Sequence, residues 1–148
     1  MIKNLLLCVL FVACVYIGRK IRDRYKQRER VAEDTVAFIT EMKRACITKR
    51  LTVAEATEEF LNNSKPSAPF ISLLGSLKNN VVEKDGKPVA DFLDALSAQY
   101  KLEPDFFDAH TADATAILNT RKKDRKEKGE LYQKLFVVAG LALVIILI

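Results

Sequence analysis

His110 is the one histidine in this 148-residue chain, and Asp108 or Asp113 beside it on a helix could complete an acid–base couple. No nucleophile or second polar group accompanies it nearby. It falls instead on the stripe Phe107, His110, Ala114, Ile117, which predicts a packed histidine with one ring nitrogen satisfied. Cys8, Cys14 and Cys46 are too scattered for a disulfide framework or a metal-ligand spacing, and they read as small apolar residues. Gly75 and Gly86 lie outside any phosphate-cradling spacing, and H-E-x-x-H, C-x-x-C and G-x-S-x-G are all missing from the sequence. The expectation is a protein that is not an enzyme, with no catalytic, cofactor-binding or metal-binding residues.

The carboxylates offer a different chemistry. Glu55, Glu58 and Glu59 share the exposed side of one expected helix, Asp91 and Asp94 stand i,i+3 on another, and Glu103, Asp105 and Asp108 open a third. Carboxylates in first turns suit the helix dipole. The same set can also form an acidic docking surface for a basic cytosolic partner, with Glu55, Glu58, Glu59, Asp91 and Asp94 as its candidate residues.

Charge is segregated along the chain. The net +5 is the balance of Lys3, a basic stretch over 19–50, an acidic stretch over 51–120 and a second basic stretch over 121–134, followed by an uncharged end. Basic charge spread over a fold would point to nucleic acid; basic charge beside two apolar ends points to a membrane and its anionic headgroups instead. Arg19, Lys20, Arg22, Lys122, Lys123 and Arg125 are the candidate membrane-surface cations, and no nucleic-acid partner is expected.

The apolar ends are 5–17 (LLLCVLFVACVYI) and 135–148 (LFVVAGLALVIILI). As helices each core is about 20 Å long against a hydrocarbon thickness of roughly 30 Å. Ile2 and Gly18 lengthen the first, and Leu131 and Tyr132 lengthen the second if Lys134 snorkels. The second has no polar side to present to water. A cleaved signal peptide fits poorly, because no A-x-A site follows, and Phe11-Val12-Ala13-Cys14 is only a loose lipobox ahead of a cation block that resists export. Both inner flanks are basic, so the middle is expected in the cytosol and both termini outside, a two-pass arrangement in the cell (inner) membrane.

The elements between the ends read as helices throughout. Val31, Thr35, Phe38, Met42 and Ala45, with Ala32, Val36, Ile39 and Cys46 alongside, form the stripe of a long helix. Thr52-x-x-Glu55 is a capping box opening a helix whose face is Val53, Ala56, Phe60 and Leu61. A loop over 62–69 follows, with Pro69 in the first turn of a helix presenting Phe70, Leu73, Leu74, Leu77 and Val81. A turn at 84–88 precedes the face Val89, Phe92, Leu93, Leu96 and Tyr100, and Pro104 starts the last helix. Val81-Val82 is the sole strand-like dipeptide. The predicted fold is all-α, a small cytoplasmic helical bundle (31–118) between basic helical stalks (19–30 and 119–134) and two transmembrane helices (1–18 and 135–148). Gly129 is the weak point of the second stalk, and the two stalks, both basic, should repel each other.

Several stretches are similar to the stage III sporulation protein AB family. They are the N-terminal apolar segment ending Ile17-Gly18 with Tyr25 beyond it, the run Leu51-Thr52-Val53-Ala54-Glu55-Ala56, and the ending Lys128-Gly129-Glu130-Leu131-Tyr132-Gln133-Lys134-Leu135 followed by an apolar helix containing Ala139-Gly140-Leu141. Phe136 stands where that family has Gly after Leu, and the Leu-Gly and Gln expected around Tyr100–Asp108 are missing. The resemblance implies a helical cytoplasmic domain like those of the type II secretion platform protein. It also implies a non-enzymatic role, seating a secretion-type ATPase at the mother-cell membrane beside other membrane subunits of the mother cell–forespore channel complex. The same layout would serve a two-anchor helical adaptor or signalling protein unrelated to sporulation.

Overall fold

The computed structural model describes residues 2–79, 84–99 and 101–147, the side chains of Ile2, Lys3, Asn4 and Leu147 excepted. The order is α1 (Ile2–Lys43), a π-helical turn (Arg44–Thr48), α2 (Val53–Ser64), α3 (Ala68–Lys78), α4 (Lys87–Ala98), α5 (Pro104–Asp124), a second π-helical turn (Arg125–Gly129) and α6 (Glu130–Leu147). The fold is all-α, with no strand among the described residues. Contacts divide the chain into two units, one of 1–29 with 120–148 and one of 30–119.

The unit of 30–119 is built on phenylalanines. Phe38, Phe70, Phe92, Phe107, Ile39, Met42 and Val89 are its most deeply buried side chains. Phe38 meets Phe60 at 5.2 Å, Phe70 at 5.8 Å and Phe92 at 6.2 Å between ring centroids. Phe92 in turn packs edge-on against Phe107 at 6.0 Å. Edge-to-face rings add to area burial because the positive edge of one meets the negative face of the other. The Val31–Cys46 stripe is buried along its length apart from half-buried Val36.

Local signals set the helix boundaries here. The Thr52 hydroxyl accepts from the Glu55 backbone N–H at 3.3 Å, and the Glu55 carboxylate accepts from the Thr52 backbone N–H at 2.9 Å, closing the capping box at the start of α2. Pro69 and Pro88 sit in the first turns of α3 and α4, and Pro104 begins α5. The loop expected over 62–69 is shorter than that. Helix α2 continues to Ser64, where Lys65 takes a left-handed conformation at φ 44°, and α3 starts at Ala68. Asp34 explains the tight connection, since its carboxylate accepts from both the backbone N–H and the hydroxyl of Ser67, the N-cap residue of α3. Val53, expected on the buried face of α2, is exposed. Val81, Val82 and Tyr100 lie outside the described residues.

The other unit pairs residues of α1 with those of the second π-turn and α6. Contacts run from Phe11 and Cys14 at Gly140, through Gly18 at Phe136 and Tyr25 at Gly129, to Glu29 at Arg125, so the two segments are antiparallel. Glycine makes close approach possible, since a Cβ on Gly140 would stand 3.1 Å from the Cβ of Cys14. Among the described residues one helix, running from Pro104 to Ile146, is long and apolar enough to cross a membrane. Its most apolar window is only 11% buried, which sets it apart from the core helix of a folded unit.

Candidate functional site

In the unit of 30–119, His110 occupies a structural position. Its Nδ1–H donates to the Phe106 carbonyl oxygen at 2.9 Å, and its ring lies 4.4 Å from Phe106 and 5.5 Å from Phe92. Asp108, one of its suggested acid–base partners, instead holds Lys43 at 2.5 Å and ties α5 to α1. Phe106 was missing from the predicted face of α5, although it stacks on Phe92 at 6.0 Å. An aromatic directly before the expected Phe107 was the available signal.

The candidate docking carboxylates separate into two kinds. Glu55 is committed to the capping box, where the Thr52 backbone N–H and hydroxyl hold its carboxyl below the ordinary glutamate value. Glu59 is half-buried and paired with Lys49, with Asn63 Nδ2 also within 3.5 Å. Its place on a uniformly exposed side of α2 is therefore corrected, because the chain after α1 returns past it and supplies the lysine. Glu58, Asp91 and Asp94 are exposed. The hydrogen bonds and ion pairs of Glu55 and Glu59 run to Thr52, Lys49 and Asn63, and do not bring either to Asp91 or Asp94.

A groove of about 210 Å³ lies between the end of α1 and α2, lined by Glu41, Arg44, Glu59 and Asn63 among others. Its charges are already paired, Arg44 with Glu41 at 2.7 Å and Glu59 with Lys49. Cys46 is buried, and burial pushes its thiol up, away from the reactive thiolate. No cluster of three or more His, Cys, Asp or Glu suited to a metal ion occurs among the described residues.

In the unit of 1–29 and 120–148, Arg19 and Lys20 are exposed on α1, and Lys122 and Lys123 on α5. Arg22 is exposed but directed, donating to Gln133 Oε1 at 2.8 Å. Arg125 is half-buried and ion-paired with the nearly buried Glu29. The two basic runs thus meet through a cation and a carboxylate, and Tyr25 stacks on Tyr132 at 6.5 Å between them. Repulsion predicted from net charge is offset at the points of contact. Gly129, expected to weaken the second run, ends the π-turn with Tyr25 Cβ only 3.4 Å from where its own Cβ would be. A π-turn widens the helix by one residue and re-aims the side chains around it.

Over 5–17 and 135–146 the outer surface of this unit is apolar. Leu5, Leu6, Val9 and Val12 of α1, and Leu131, Leu135, Val138, Leu141, Ile145 and Ile146 of the other segment, are exposed. Comparison with protein families, with curated proteins and with solved structures finds no match for this chain.

Proposed function

We propose that this protein is a non-enzymatic membrane-platform component of the stage III sporulation protein AB type. In this reading both apolar ends span the cell membrane, the termini lie outside, and the unit of 30–119 is cytoplasmic on the mother-cell side. Its work is to seat a cytosolic secretion-type ATPase beside other membrane subunits of the mother cell–forespore channel.

The observation that carries this reading is the pairing of the two apolar ends through glycines, with large apolar side chains left on the outside. A water-soluble unit would turn those side chains inward. Between membrane helices there is no hydrophobic drive for that, and small residues at the contact permit close packing instead. An antiparallel pair is also what two passes in opposite directions produce. The cations at 19–22 and 121–125 support a cytoplasmic flank on both helices. Exposed Glu58, Asp91 and Asp94 support an acidic surface for a basic partner.

The test is an in-frame deletion of the gene in its source bacterium, read as heat-resistant spores. The expected result is a collapse in spore count that an ectopic copy restores. Normal spore yield removes the process and leaves a two-anchor helical adaptor. Anchoring is checked separately by alkaline carbonate extraction, where retention in the membrane pellet is expected and release into the supernatant overturns it.

A further inference from the structure

We infer that the groove beside Arg22 on α6 is a binding site for one anionic phospholipid. This groove, of about 400 Å³, is lined by Arg22, Glu130, Gln133, Lys134, Val137 and Val138. The five α6 residues follow i, i+3, i+4, i+7, i+8 and therefore share one side of the helix, running from charged to apolar. Lys134 is the last charged residue before the uncharged end of the chain. Val137 and Val138 stand about one helical turn, roughly 5 Å, further along. The groove therefore straddles the polar–apolar boundary of the helix.

An amphipathic anion fits this gradient. Two cations face one carboxylate, Glu130, which leaves the lining net positive. Arg22 is held in place by its bond to Gln133 at 2.8 Å, so its remaining N–H groups are available in a fixed direction. A phosphodiester fits at Arg22 and Lys134, and the start of an acyl chain fits along Val137 and Val138. Inorganic phosphate would leave the valine end unfilled, and a zwitterionic lipid brings an ammonium to the cations. The site deepens the membrane reading and rests on it, since it requires α6 to lie in a bilayer.

The experiment is native mass spectrometry of the full chain released from nanodiscs of phosphatidylcholine doped with phosphatidylglycerol. The expected result is one retained phosphatidylglycerol per chain. Retention should fall roughly tenfold or more in the R22Q/K134Q double variant, on the scale by which single cations attract anionic lipid. It should persist in R24Q/K26Q, which removes two exposed cations of α1 outside the groove. Equal loss in both variants would reduce the effect to general surface charge and overturn the site. Displacement by excess inorganic phosphate would reassign it to a free anion and overturn it as well. A chain that enters nanodiscs yet retains no lipid defeats this inference alone, whereas a chain that fails to enter them defeats the membrane reading.

Discussion

Gly18 is seated against Phe136, so closely that a Cβ on the glycine would stand 3.1 Å from that of the phenylalanine and 3.3 Å from the Gln133 carbonyl oxygen. The Phe136 Cβ and the Gln133 backbone come so close that only a missing side chain leaves room for them. Gly18→Leu should therefore destabilise the helix pair by about 1–3 kcal/mol, the usual cost of overpacking. Thermal unfolding of the full chain in detergent, followed by circular dichroism, measures it. Adding Phe136→Gly, which removes that Cβ, should return part of the loss, and strictly additive effects would mean the two positions do not touch.

Glu29 and Arg125 form the ion pair at the other end of the same contact, with the carboxylate nearly buried. Removing one partner leaves a charge without its counter-ion. Glu29→Ala is expected to cost roughly 1–3 kcal/mol, below the figure for fully buried pairs because Arg125 keeps some access to water. The double variant Glu29→Ala/Arg125→Ala should unfold later than Glu29→Ala alone in the same melt.

Phe92 is the junction of the aromatic core, touching Phe38, Phe106, Phe107 and His110. Phe92→Ala should cost about 3–5 kcal/mol through the cavity it leaves. Hydrogen exchange of the full chain should show amides of α3, α4 and the start of α5 losing protection, with much smaller changes in α6. Uniform loss across both units would mean that they unfold together.

Acid should loosen the start of α2. Glu55 is held below its ordinary value by Thr52, so the folded state prefers the carboxylate. That contribution is fully present above the unfolded glutamate value of about 4.3, and it disappears as pH falls through the lower folded value. Amides at the start of α2 should lose protection below about pH 4, beyond the intrinsic pH dependence of exchange. At neutral pH, Thr52→Ala should cost roughly 1 kcal/mol, and its difference from the wild type should narrow in acid.

Charge reversal discriminates between the two kinds of carboxylate. Glu58→Lys, Asp91→Lys and Asp94→Lys together should abolish recruitment of the proposed ATPase partner while leaving the melting transition nearly unchanged, since all three are exposed. Reversal at Glu55 or Glu59 should lower stability as well, through the capping box and the Lys49 pair. Unchanged recruitment in the triple variant, read by co-purification with the ATPase, would remove these residues from the docking surface.

By itself the sequence determined what is decided within a few residues. The stripe from Val31 to Cys46, the Thr52–Glu55 box and the starts at Pro69 and Pro104 were legible, because helix period and capping act over three or four positions. Pro88, read as the end of a turn, stands instead in the first turn of α4, which begins at Lys87. The apolar character of both ends was equally plain. Tertiary structure decided which distant residues meet. Gly18 read as the edge of an apolar run and became the seat of Phe136; Glu29 read as one charge in a basic run and became the partner of Arg125. Asp34, unremarkable on a helix surface, fixed the start of α3 through Ser67 and so shortened the predicted loop. The candidate site divided in the same way. That Glu55 caps α2 was written in its spacing from Thr52, whereas the commitment of Glu59 to Lys49 required the chain to turn back on itself. Periodicity records which side of a helix is apolar, and it carries no information about the side chain that will cover it.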